Sequence, residues 1–251
     1  MFGDGPVLPR RTLNDVFSAV LHGQVCFAVV PVENSTAGSI NDTYDLLLRY
    51  DLNIYGETQV RVSHCLMALS GQGIDRIKKV YSHPQALAQC EEFLGRINVE
   101  IIPAYDTAGS AKMIKEQGLS GCAAVASARA ARFYGLDVLA ANIETNPRNY
   151  TRFLSISLEK APRSPKSKTS IIFATQNVPG TLYASMGAFA KRSINLTKLE
   201  SRPSRDRPWE YVFYADFEGH MDDPDCREAL AELRDCNTLI KILGSYPATQ
   251  E

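Results

Sequence analysis

The chain has almost no net charge, no metal-ligand spacing and no apolar run of membrane length, and each absence removes a class of function. Lys and Arg number 27 against 28 Asp and Glu, leaving −1. Such a balance gives no bulk field for nucleic acid or for an anionic membrane surface. No apolar stretch approaches the ~20 residues of a membrane-crossing helix. The start shows no basic stretch leading into an apolar one, as a secretory signal would. The cysteines, at positions 26, 65, 90, 122, 226 and 236, form no C-x-x-C pair. Most stand in apolar contexts, such as Cys26 in VCFAVV, and read as reduced, buried thiols of an intracellular protein. The histidines, at 22, 64, 83 and 220, are scattered and offer no zinc spacing. Without a secretory signal, the N-x-S/T sequons at Asn34, Asn41, Asn149 and Asn195 carry no glycosylation meaning. There is no Ser-His-Asp spacing and no Gly-rich phosphate loop. No metal motif appears either.

What is present is organisation. LEKAPRSPKSK, residues 158–168, is rich in Pro, Ser and Lys and reads as a linker between residues 1–157 and 169–251. The first part alternates strand and helix signals. QVCFAVVPV precedes a helix through Ile40, Tyr44, Leu47 and Leu48. IKKVYS leads into a helix from Pro84 to Leu94, and VEIIPAY into one from Thr107 to Gln117. GCAAVAS leads into ARAARFYG, which stops at Gly135. This predicts an α/β module with a largely parallel sheet or sheets. The second part reads strand–helix–strand–strand–helix–strand. Its first helix shows Leu182, Met186 and Phe189 on one face, and its second is capped by an Asp. That order is the βαββαβ, ferredoxin-like arrangement.

Several junctions of the first part end an apolar strand with polar residues and then start a helix: VVPVENSTAGSIN, VYSHPQ, PAYDTAGS and AVASAR. Helix N-termini carry unpaired N–H groups and partial positive charge. Ligands of open α/β sheets bind beyond the carboxyl ends of strands. Such ends suit a small carboxylated ligand, although ordinary capping accounts for any one of them alone. His83 in SHPQ reads as a cap or a solvent-facing residue rather than a base. In NYTRFLSIS, Thr151 is by itself an ordinary strand residue.

Four motifs in one order change that reading: VVPVENSTAGSINDTYDLL, VYSHPQALAQC, NYTRF, and ESRP after PGTLYASMGAF. With them the chain closely resembles prephenate dehydratases, a catalytic module followed by an ACT regulatory domain. The ending DFEGH…LGSYP fits the ACT part as well. The resemblance implies a two-lobed module similar to type 2 periplasmic binding proteins, with the site between the lobes. It implies decarboxylating dehydration of prephenate to phenylpyruvate in L-phenylalanine biosynthesis, without a cofactor. Arogenate dehydratase, or an inactive phenylalanine-binding protein, stands as the alternative.

Residue by residue, the resemblance makes Thr151 the proton donor to the leaving hydroxyl. It makes Glu33, Asn34, Ser35, Ser82, Gln89, Arg152 and Phe153 the substrate's surroundings, with Arg152 offering a bidentate contact to a carboxylate or else a buried structural ion pair. Pro179, Gly180, Thr181 and Leu182, with Glu200, Ser201, Arg202 and Pro203, match the phenylalanine-binding motifs. Thr181 departs from the family's usual alanine. Phenylalanine bound between two ACT domains implies a homodimer or homotetramer, with no nucleic-acid or membrane partner and a cytoplasmic location, organelle targeting left open. Family members also open with an LGPxGTFS-type strand, loop and helix. The present chain begins at MFGDGPVLPRRTLNDVF, which resembles the stretch that follows them.

Overall fold

The computed structural model describes residues 5–204 and 211–249 and divides into two compact units. The first contains residues 1–60 and 151–251, and the second residues 61–150.

In the first unit, α1 (Leu13–Leu21) is a helix that the sequence pattern did not single out. Thr12 caps it by accepting from Asp15 N, and Phe17 and Val20, three apart, are buried. Next come β1 (Phe27–Asn34), β2 (Gly38–Ser39), α2 (Asn41–Arg49) and β3 (Asn53–Arg61). The chain re-enters this unit along β9 (Tyr150–Ser157), giving a sheet of order β2-β1-β9-β3. The strands β10 (Ser167–Thr175), β11 (Leu196–Pro203), β12 (Tyr211–Glu218) and β13 (Leu239–Pro247), with α7 (Thr181–Ala190) and α8 (Pro224–Cys236), form the expected βαββαβ domain. Its sheet, of order β11-β12-β10-β13, is antiparallel throughout.

That second sheet is buried on both faces. Successive strand residues point to opposite sides. Ile171 and Phe173 pack with Phe189, Leu230 and Leu233 of the two helices. Ile172 and Ala174 join Tyr214 and Leu243 in one core with Val30, Val32, Ile54 and Ile156 of the first sheet. The linker therefore separates the two sheets in sequence but not in packing. Gly244 marks the closest approach. Its φ is +146°, and a Cβ there would lie 2.6 Å from Ile54 O.

The second unit holds one sheet, β6 (Glu100–Pro103), β5 (Lys79–Ser82), β7 (Cys122–Ala126), β4 (Cys65–Ala68) and β8 (Asp137–Ala141), in that order. Alternation again supplies two faces. Ala123 and Val125 pack with Leu87 of α3 (Pro84–Gln89), Leu94 of α4 (Glu91–Ile97) and Cys90 between the two helices. Ala124 and Ala126 pack with Ile114 of α5 (Thr107–Gln117) and Ala130 of α6 (Ala128–Tyr134).

Four expectations need correction. The sheets are not largely parallel. β5 runs parallel to β6 and to β7, whereas β1 with β9, β4 with β7 and β4 with β8 run antiparallel, because those strands connect by other routes than a βαβ crossover. The helix from Pro84 breaks at Cys90, whose N–H turns back to Leu87 O and whose side chain is wholly buried. Asp223 sits at the N-cap of α8 but does not cap it, since its carboxylate accepts from His220 N and pairs with Arg163. Cys26 is exposed rather than buried; it lies just before β1, where its backbone carbonyl, not its thiol, meets Ser157.

Candidate active site

The polar end of β1 is set by a register shift. Pro31 pairs with Phe153, but the next pairs are Glu33 with Arg152 and Asn34 with Thr151, which leaves Val32 as the extra residue. The bulge falls beside Pro31, which has no N–H to give to the ladder. Asn34 is thereby placed directly opposite Thr151.

Asn34 is buried, and its amide is oriented by the turn that follows it. Oδ1 accepts from Thr36 N (3.1 Å), Thr36 Oγ1 (2.7 Å) and Ala37 N (2.9 Å). Three donors on one end fix which end is oxygen. The other end, Nδ2, donates to Thr151 Oγ1 at 3.0 Å. Because that nitrogen only donates, Thr151 must accept there, and its own proton is left for another acceptor. Ser35 is exposed on the same turn, and Phe153 is half-buried on β9.

Arg152 lies in a cage of carboxylates. Its Nε donates to Glu57 Oε2 (2.8 Å), and Nη2 lies 2.7 Å from both Glu57 Oε2 and Asp216 Oδ2 and donates to Tyr246 Oη at 3.2 Å. Lys168 Nζ donates to the other Glu57 oxygen at 2.7 Å. The guanidinium fork is thus engaged within the protein rather than open to a ligand, which is the buried-ion-pair alternative for this residue. Burial disfavours the Arg152 cation, but Asp216, Tyr246 and Glu57 outweigh it and raise its pKa. Burial likewise disfavours the Glu57 anion, and Arg152 and Lys168 overcome it, holding that carboxyl below the usual value. Glu57 and Asp216 were not picked out from the sequence. The signal for Asp216 was a lone charge inside the apolar run YVFYADF.

The expected effector motif meets this same region. In β11 the alternate residues Lys198, Glu200 and Arg202 share one side. Lys198 Nζ donates to Glu33 Oε2 (2.9 Å), Glu200 Oε2 accepts from Ser39 Oγ (2.7 Å), and Arg202 Nη2 lies 3.9 Å from Asp45. Burial opposes the Lys198 charge, yet Tyr44 and Glu33 raise its pKa overall. Ser201 and Pro203 face outward and are exposed. Pro179 and Gly180 form an exposed turn, with Gly180 at φ +88° as the N-cap of α7. Thr181 Oγ1 turns back to Gln176 O and Val178 O. Leu182 is exposed while Phe189 is buried, so the expected common apolar face runs only along the later part of α7.

In the second unit, Ser82 ends β5, is wholly buried and donates to Val125 O at 2.7 Å. Gln89 ends α3, and its Oε1 lies 2.8 Å from Nε2 of His64, a residue to which the sequence assigned nothing. His83 caps α3, its Nδ1 accepting from Gln85 N at 3.2 Å. No His/Cys/Asp/Glu group among the described residues has the spacing to hold a metal ion.

An α/β module with a locked Asn–Thr pair at a strand end, followed by a βαββαβ domain whose sheet shares a core with its first sheet, defines a structural class: an α/β module joined to a ferredoxin-like domain. More particularly, the chain belongs to the prephenate dehydratase family. The family model "Prephenate dehydratase" matches residues 2–161, and "ACT domain" matches residues 169–235. The arogenate dehydratase/prephenate dehydratase 2, chloroplastic, of Arabidopsis thaliana is 44% identical over 96% of this chain and 66% of its own length. The crystal structure of a prephenate dehydratase in complex with L-Phe from Arthrobacter aurescens superposes with a TM-score of 0.87 at 31% identity, covering 96% of this chain and 81% of that one. The structure of GqqA, described as a novel type of quorum quenching acylases, has the same TM-score at 36% identity, covering 96% and 89%. The chain spans about two thirds of the length of the first of these curated relatives, and no more of an arogenate dehydratase 2 from Petunia hybrida. Among the described residues no helix is long and apolar enough to cross a membrane.

Proposed function

We propose that the chain is a prephenate dehydratase of L-phenylalanine biosynthesis, a carbon–oxygen lyase that converts prephenate to phenylpyruvate, carbon dioxide and water. The observation that carries this reading is the Asn34–Thr151 pair. As the ring carboxylate leaves as CO₂, its bonding electrons enter the ring and expel the hydroxyl. Thr151 Oγ–H gives that hydroxyl its proton, so that water leaves, and the threonine oxygen regains a proton from solvent before the next turnover, the net reaction consuming one proton. A threonine hydroxyl is a weak acid. The Asn34 N–H already aimed at its oxygen stabilises the charge that develops there, and the concerted loss of CO₂ supplies the drive. Glu33, Ser35 and Phe153 belong to the same unit as the donor and contact the dianion there; Ser82 and Gln89, in the second unit, are substrate contacts on the strength of the family motifs alone. Arg152 serves by anchoring β9 through Glu57 and Asp216, next to the donor.

We further propose that L-phenylalanine is the effector, bound at residues 179–182 and 200–203 of a homodimer or homotetramer, with the catalytic domain at 1–157 and the ACT domain at 169–251. The similarity to the Arthrobacter aurescens prephenate dehydratase, solved in complex with L-Phe, supports this. All six cysteines are free thiols, which suits a reducing compartment, cytoplasmic or organellar. Arogenate is the second substrate reading, favoured by the double name of the Arabidopsis relative. Following phenylpyruvate from prephenate and phenylalanine from arogenate, as kcat/KM on each, decides between them. Phenylalanine binding with turnover of neither would select the inactive alternative.

A further inference from the structure

We propose that His64 is a positioning residue that sets the direction of the Gln89 amide, so that Gln89 offers its NH₂ group, a donor, to an oxygen of the bound substrate. The proposal rests on Gln89 being a substrate contact of the proposed dehydratase.

A primary amide has an accepting end and a donating end. When a fixed neighbour takes one end, the other end is what a ligand meets. His64 Nε2 stands 2.8 Å from Gln89 Oε1. That ring is buried, and its backbone is held on both sides: His64 N donates to Glu144 Oε2 at 3.0 Å, and His64 O accepts from Ile143 N at 3.0 Å. The next residue of the same strap, Thr145, donates its N–H to Gln89 O at 2.8 Å. Three consecutive residues therefore hold both partners, and Arg61 pairs with the middle one, Glu144, at 3.2 Å. Gln89 is the last residue of α3, just before the break at Cys90, so its side chain leaves the helix where the strap can grip it. With Nε2 protonated, the ring donates to Oε1, and it does so in both the neutral Nε2–H form and the imidazolium. The free NH₂ end matches a carboxylate or hydroxyl oxygen. The reversed amide would present its own oxygen to an anion.

Two measurements test this. In the first, kcat/KM with prephenate is compared for the parent, His64→Ala, His64→Gln, Gln89→Ala and the His64→Ala/Gln89→Ala pair. The geometry predicts a loss of about 10- to 100-fold for His64→Ala. It predicts substantial recovery in His64→Gln, whose amide N–H reaches the place of ring Nε2–H. In the Gln89→Ala background, His64→Ala should change kcat/KM by less than about twofold. Fully additive losses, or no recovery with Gln, would overturn the proposal. In the second, ¹⁵N NMR of the parent reads the ring directly and needs neither a variant nor turnover. A proton on His64 Nε2 supports the assignment, and a neutral ring protonated at Nδ1 sinks it. A parent that turns over neither prephenate nor arogenate would overturn the functional reading instead, and the ring tautomer would still decide how Gln89 is held.

Discussion

At Glu57 a single carboxylate holds two cations, Arg152 and Lys168, and accepts Thr249 N as well, with a side chain only 1% exposed. Breaking such a buried pair costs about 3–5 kcal/mol. Because its folded pKa lies below the ordinary 4.5, Glu57 contributes stability that is present above that value and lost as pH falls through the lowered one. Glu57→Gln should therefore be less stable than the parent at neutral pH, and its melting temperature should fall less steeply below pH 4.5. Equal slopes for the two proteins would remove this role. Almost none of the network was legible in sequence. Glu57 sits in the polar stretch GETQ, and Arg152 reads equally well as ligand or anchor. What separates those readings is which carboxylates the fold brings within about 3 Å, the reach of a charge-assisted hydrogen bond. Asn34 and Thr151 were legible as a pair only through motif order, since they stand 117 positions apart and meet by strand register.

Among the elements, the strongly periodic ones were readable. α5 has the bounds that the sequence suggests, with Asp106 capping it, and β11 shows the strict alternation of a strand with one buried side. For β10 the sequence showed a strand but not that its two faces meet different partners. Long-range pairing also escaped, so the predicted parallel sheets proved mixed. The contact between β13 and β3 is tight enough to test. Gly244→Ala adds a Cβ 2.6 Å from Ile54 O at a φ of +146°. It should destabilise the fold by about 2–5 kcal/mol in urea unfolding. A change within about 0.5 kcal/mol, the level of a neutral surface substitution, would mean the two sheets do not approach so closely.

For the molecule as a whole, β11 joins the two expected motifs: Lys198, Glu200 and Arg202 face Glu33, Ser39 and Asp45. Ser39 pairs with Glu33, and Gly38 with Asn34, so Glu200 is connected to the donor pair through Ser39 and a two-residue strand. Ser39→Ala should leave phenylalanine affinity within about threefold while weakening its inhibition of turnover, a loss of coupling free energy of about 1–2 kcal/mol. Calorimetry and inhibition curves on the same protein check this, and inhibition that persists at parental strength argues against the route. The linker in the sequence gave no sign that the second sheet would share a core with the first.

The donor pair itself is tested most directly by initial rates of phenylpyruvate formation from prephenate for the parent, Thr151→Ser and Thr151→Ala. A hydroxyl that delivers the proton predicts a loss of about 10²- to 10⁴-fold in kcat for Thr151→Ala. It also predicts partial activity for Thr151→Ser and unchanged phenylalanine binding in all three. A Thr151→Ala protein that turns over prephenate as fast as the parent contradicts the mechanism.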